Sequence, residues 1–145
     1  MVMLKIILMM IIRTRTLMGY KSYKVGKDFE EQIIDYYADR GYFVFKIPTV
    51  IQGTVFDIIV IKGGSALCIE CKHTNSAKLN FVGSGLAKKE DEITHFVKKT
   101  NTNIYFYIKS EKLNGIYWTT YGRSWKLLKK QGYLDLEKDC FKAII

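Results

Sequence analysis

Asp57 stands in the run Val55-Phe56-Asp57-Ile58-Ile59-Val60-Ile61 and Glu70 ends the run Ala66-Leu67-Cys68-Ile69-Glu70. A charge in a β-branched apolar strand is costly to bury unless something compensates it, so each carboxylate calls for a partner. Gly63-Gly64 lies between the two runs as a turn, and an antiparallel pair folded through it sets Asp57 directly across from Glu70. Like charges facing each other destabilise a sheet unless a cation sits between them. Two carboxylates on a rigid hairpin offer oxygen ligands suited to Mg²⁺ or Mn²⁺, with water and a substrate phosphate filling the remaining positions. Lys72 falls on the face of Glu70 by strand alternation, where it can orient a water or stabilise charge developing on phosphorus. The competing reading is an Asp–Lys or Glu–Lys ion pair that only fixes register, which leaves the second carboxylate unexplained.

These residues need a scaffold, and the rest of the chain supplies one. Residues 27–40 carry Phe29, Ile33, Ile34 and Tyr37 at helical spacing before Gly41, and 42–47 are aromatic and β-branched up to Pro48, the only proline, so a helix and then a strand are expected. Strands over 55–61 and 66–71 follow, then a polar stretch over 75–85 and a second helix over 88–99. Strands over 104–108 and 116–119, joined through Asn114-Gly115, precede a short helix over 124–130 with Ser124 as its N-cap. The order α-β-β-β-α-β-β-α, with a helix between strands three and four, predicts an α/β fold with a central mixed sheet flanked by helices.

Composition narrows the function. The chain has 145 residues, 48% apolar and 26% charged, with 23 Lys and Arg against 14 Asp and Glu for a net charge of +9. That excludes a disordered tail, a collagen-like repeat and a multi-pass membrane protein, and points to polyanionic partners, nucleic acid first. The charge is uneven: +3 over residues 1–20, −1 over 21–71 and +7 over 72–145. Acids early and bases late suit a protein that binds phosphates beside an acidic metal pocket. Cys68 and Cys71 fall on opposite strand faces and Cys140 stands apart, which argues against a disulfide framework or a zinc site and for an intracellular setting. Residues 1–12 are apolar except for Lys5, short of the roughly 20 needed to span a bilayer, and lack the charged start and small-residue cleavage site of a signal peptide. Residues 1–20 read as an N-terminal extension, either upstream of a true start at Met18 or an added strand or arm, and 21–145 as one domain.

Asp57, followed after twelve residues by Glu70-Cys71-Lys72, resembles the signature of the PD-(D/E)-x-K nuclease superfamily, with Phe56 in place of the proline. Lys24-Val25-Gly26-Lys27-Asp28-Phe29-Glu30, Gly41-Tyr42-Phe43-Val44 and Leu67-Cys68-Ile69-Glu70-Cys71-Lys72 are similar to the archaeal and archaeal-virus Holliday junction resolvases. The resemblance implies a restriction-endonuclease-like core and a Mg²⁺- (or Mn²⁺-) dependent endonuclease that hydrolyses phosphodiesters at four-way DNA junctions in recombination or replication. It implies Asp57, Glu70 and the Cys71 backbone carbonyl as metal ligands, Lys72 as the residue that positions the water, and an acid early in the first helix. Glu30 fits that last role better than Glu31, because its neighbours Ile33 and Ile34 lean toward the core. Where the family carries a phosphate-contacting Ser, this chain offers Thr49, Gln52 and Thr54. Lys24, Lys27, His73, Lys78, Lys88 and Lys89 are the further candidates for DNA contacts.

Two opposed cuts imply a homodimer, for which the aromatics of 105–107 and 117–118 offer an interface. The resemblance further implies branched double-stranded DNA as partner, no membrane, no organic cofactor, and a cytoplasmic location in a prokaryotic cell or a virus-infected host. The alternatives are a restriction- or repair-type nuclease with the same residues, and a non-catalytic DNA-binding protein on the same fold.

Overall fold

The computed structural model describes residues 25–48 and 55–145. Lys24, Thr49, Gln52, Thr54, the side chain of Lys27 and the N-terminal extension lie outside the described residues.

Helix α1 (Val25–Ala38) leads through Gly41, at φ 83°, into β1 (Phe43–Lys46). The left-handed backbone there is open to glycine at little cost. The hairpin β2 (Ile58–Lys62) and β3 (Ser65–Thr74) turns at Gly63-Gly64, both at positive φ. A short β4 (Lys78–Asn80), a 3-10 turn over Ala87–Lys89 and α2 (Glu90–Thr100) lead to β5 (Ile104–Ser110) and β6 (Gly115–Thr120). Helix α3 (Tyr121–Gln131), β7 (Tyr133–Asp135), α4 (Leu136–Asp139) and β8 (Phe141–Lys142) close the chain.

Six strands form a sheet in the order β1-β2-β3-β5-β6-β8. Only β3 and β5 run parallel, and the α2 crossover joins them, so the sheet is mixed as the element order requires. On one face Phe29, Ile33 and Tyr37 of α1 pack against Ile58, Val60 and Ile69, with the Tyr37 and Tyr107 hydroxyls bonded at 2.7 Å. On the other, Ile59, Cys68, Ile104, Phe106 and Ile108 meet Leu86, Ile93, Trp125 and Leu128 from the α2 and α3 side. Cys68 and Cys71 divide between the faces, and the three described cysteines are free. Ile33 is fully buried, so Ile33→Ala is expected to lower unfolding stability by about 3 kcal/mol, read as a lower midpoint in urea.

Several sequence expectations change. Helix α3 begins three residues before the expected Ser124 cap: Thr120 is the N-cap and accepts from the Arg123 N–H. Ser124 is instead buried, its hydroxyl bonded to that of Thr119. The polar stretch over 75–85 contains β4, whose buried Leu79 pairs with Leu134 of β7 in a separate two-stranded sheet. The strand expected over 55–61 begins three residues later, at Ile58, just after Asp57. Of the aromatics offered for a dimer interface, Phe106, Tyr107 and Tyr117 are core residues. Tyr105 and Trp118 are partly exposed and stack on one another, and Trp118 also meets Phe141.

Candidate active site

The hairpin register pairs Ile58 with Ile69 and Ile59 with Cys68, and its continuation brings Asp57 opposite Glu70. Asp57 sits on the last backbone link before β2: its N–H donates to the Ile69 carbonyl at 2.8 Å and its carbonyl accepts from Ile47 at 2.7 Å. Its Oδ2 accepts from the backbone N–H of Cys71 at 2.8 Å. Asp57 is thus fastened on both sides by its backbone and across the hairpin by its carboxylate.

Glu70 is 1% exposed. Burial, first, and the Asp57 carboxylate beside it, second, push its carboxyl up to about 8, against the pull of Lys72 and Lys89. Asp57 and Glu70 face each other across the hairpin, and the Asp57 carboxylate acts directly on the Glu70 carboxyl. Two lysines converge on Glu70 Oε2, Lys72 at 3.6 Å and Lys89 at 3.3 Å. Lys72 also donates to the Ser84 carbonyl at 3.0 Å, which fixes its ammonium beside the carboxylates. A carboxyl pair with one member buried, together with the Cys71 backbone carbonyl next in sequence to Glu70, is a donor set of hard oxygens, and it fits a divalent cation of the Mg²⁺ class.

Glu30 stands on the α1 side. Its carboxylate lies 3.5 Å from Lys46 Nζ, and the more exposed Glu31 lies 3.7 Å from the same atom. Lys46 itself is 7% exposed. Among the described residues no group of three His, Cys, Asp or Glu side chains is placed to hold a metal ion. The charge of Glu30 nevertheless reaches β3: the Cys71 thiol is raised by burial first, then by Asp57, Glu30 and Glu70, with Lys46 opposing.

The remaining expected contacts divide. Lys88 is exposed, and Lys78 is exposed with its ammonium over the Tyr133 ring at 4.3 Å. His73 alternates away from Lys72, with Nε2 2.8 Å from Glu111 Oε1. Lys89, another candidate for a DNA contact, touches Glu70. Lys46 was legible: it is the one charge in Phe43-Val44-Phe45-Lys46-Ile47, and the burial argument applied to Asp57 applies equally to it. No comparable signal marks Lys89, which lies 19 residues from Glu70 and reaches it only through the crossover.

The family model for archaeal Holliday junction resolvases (Hjc) matches residues 21–129, which include every described residue of this site. The chain belongs to the archaeal Holliday junction resolvase family. This resolvase is therefore a structure-specific endonuclease of the PD-(D/E)-x-K superfamily that binds branched DNA and depends on a divalent metal. Among solved structures it is similar to the Holliday junction resolvase Hjc of the hyperthermophile Archaeoglobus fulgidus, at 17% identity and a TM-score of 0.51, over 69% of this chain and 75% of that one. That likeness shows the same fold. A nuclease from a fusellovirus, D212, is also similar, at 14% identity and a TM-score of 0.41, over 86% of this chain and 90% of that one. No curated protein matches the chain. Among the described residues of the resolvase no helix is long and apolar enough to cross a membrane.

Proposed function

We propose that the resolvase cuts four-way junctions at a centre built on Asp57 and Glu70, with Mg²⁺ (or Mn²⁺) as the ion held there. The observation that carries this reading is the pair itself: two carboxyl groups pressed together, one of them buried, with Glu70 held near 8 by burial and by Asp57. Such an arrangement is unfavourable for folding alone and suits a cation that both oxygens bind. When bound, a divalent ion polarises the phosphate, lowers the pKa of a coordinated water and neutralises developing charge.

The chain's own residues do the rest. Asp57 and Glu70 hold the ion with the Cys71 carbonyl, and the Cys71 N–H keeps Asp57 Oδ2 in place. Lys72, steadied by the Ser84 carbonyl, orients the attacking water and stabilises the phosphorane charge. Glu30, anchored on Lys46, adds a third negative charge from the α1 side. Lys72→Met is expected to cut junction cleavage by roughly a hundredfold or more while leaving junction binding within a few-fold of wild type, measured by single-turnover cleavage beside a gel-shift titration. Loss of binding in parallel with cleavage would assign Lys72 to substrate capture instead.

Paired cuts on opposed strands call for two copies of this site, and we take the working form as a homodimer within the cell that holds the DNA substrate. Residues 21–145 act as one nuclease domain. The basic surroundings, Lys78 and Lys88 among the described residues, with Lys24, Lys27, Thr49, Gln52, Thr54 and His73 as further candidates, contact the DNA arms. Family membership favours this reading over a restriction- or repair-type nuclease and over a non-catalytic DNA-binding protein. Sedimentation equilibrium is expected to give about twice the chain mass of 16.9 kDa.

A further inference from the structure

The resolvase carries a second lysine at its carboxylate pair, and the assignment of ion ligands and water-positioning groups above leaves it without a task. Lys89 Nζ lies 3.3 Å from Glu70 Oε2, nearer than Lys72 at 3.6 Å. The two lysines are held differently. Lys72 is 17% exposed and also bonded to the Ser84 carbonyl. Lys89 is 37% exposed and emerges from the 3-10 turn just before α2. One ammonium is fixed in the pocket, and the other spans from the pocket to solvent on a long flexible stem. Next to it, Glu90 pairs with Lys129 of α3, so the backbone carrying Lys89 is tied down while its side chain reaches inward.

We propose that Lys89 is an exchangeable occupant of the carboxyl pair: it sits on Glu70 Oε2 until the divalent cation arrives, then leaves it and takes a phosphate of the DNA strand beside the cut. The inference rests on the reading that Asp57 and Glu70 hold the cation. Its physical basis is a charge count. The cation brings two positive charges to the Asp57–Glu70 pair, which carries at most two negative charges and already has Lys72 at 3.6 Å from Glu70, so no net negative charge is left to hold a second ammonium and Lys89 is repelled once the ion binds. This holds whether Glu70 starts ionised or protonated. Lys89 is partly exposed, so its movement outward needs no rearrangement of the core, and an ammonium released at the mouth of the site meets the phosphate backbone as its natural anion. Lys89 is thus a positioning residue for Glu70 in the free protein and a phosphate contact in the complex.

The inference makes two effects move in opposite directions in one variant. Lys89→Gln is expected to bind Ca²⁺ or Mg²⁺, titrated calorimetrically without DNA, about five- to tenfold more tightly than wild type, because a repelling charge has been removed. The same variant is expected to bind a four-way junction in saturating Ca²⁺ at least threefold more weakly, with a shallower dependence of affinity on salt. Lys89→Arg should keep both properties near wild type. A Lys89 that merely braces the fold would not tighten metal binding. Unchanged or weaker metal affinity in Lys89→Gln, or unchanged junction affinity, overturns the inference. Asp57→Ala in the same titration separates the two readings: if wild type binds the ion and Asp57→Ala does so equally well, the carboxylate site itself is wrong. If Asp57→Ala loses the ion while Lys89→Gln gains nothing, only the role of Lys89 fails.

Discussion

Asp57→Ala is expected to lower junction cleavage by roughly three orders of magnitude at saturating divalent metal. The residue supplies one of the two side-chain carboxylates at the centre, and nothing else described on that face replaces it. The lysines beside it carry the wrong charge, and Glu30 is engaged with Lys46 on the α1 side. The fold should tolerate the change. Removing Asp57 leaves the Cys71 N–H without its 2.8 Å carboxylate acceptor, at a cost of about 1–3 kcal/mol, but it also relieves the repulsion that Glu70 feels from a second carboxyl group. A melting temperature close to that of wild type, together with retained junction binding and lost cleavage, is the expected set. Cleavage within tenfold of wild type would remove Asp57 from the centre.

The second large effect concerns Glu70 and pH. In the folded resolvase its carboxyl is held at about 8, against an ordinary value of 4.5, so between those values the folded state keeps a proton that the unfolded chain has lost. Stability rises with pH where the unfolded state binds more protons, and here the folded state binds more. The contribution of Glu70 is therefore fully present below about 4.5, declines as pH rises and is gone above about 8. Each unit corresponds to about 1.4 kcal/mol, so the loss across the window amounts to a few kcal/mol. Glu70→Gln, neutral at every pH, should lack this loss. In metal-free buffer with EDTA, the stability of wild type relative to Glu70→Gln is expected to fall as pH rises from 5 toward 8.5, measured by urea unfolding of both proteins. Added Mg²⁺ should restore wild type and leave the variant unchanged. A wild type that gains on the variant with rising pH would show that Glu70 is stabilised as an anion, and that its surroundings are not poised for a cation.

The same physics explains which parts of this site were legible in the sequence. Asp57 and Glu70 stand out because an acid inside a β-branched run needs a reason. The Gly63-Gly64 turn fixed the register in advance, and the observed pairing of Ile58 with Ile69 follows it. The α1 stripe of Phe29, Ile33 and Tyr37 and the parallel β3–β5 join likewise follow from periodicity and element order. Contacts made through the tertiary fold stayed hidden. Lys89 meets Glu70 across a crossover, and Ser84 offers Lys72 a backbone carbonyl that no residue type announces. Ser124 reads as a cap because a hydroxyl precedes an amphipathic run, yet Thr120 also carries a hydroxyl and accepts the Arg123 N–H of the earlier first turn. The short β4, β7 and β8 hold three, three and two residues, too few for alternation to register; β4 and β7 pair with Leu79 and Leu134 buried against the core, and β8 adds to the edge of β6.

The most direct test of the central claim places an immobile four-way junction and its separate linear arms side by side with the wild-type resolvase, in Mg²⁺ and in EDTA. Paired nicks at the junction in Mg²⁺, no nicks in EDTA and intact linear arms are the result expected of a metal-dependent centre on Asp57 and Glu70. Equal cutting of the linear arms would contradict its junction specificity, and cutting that persists in EDTA would contradict the metal centre itself.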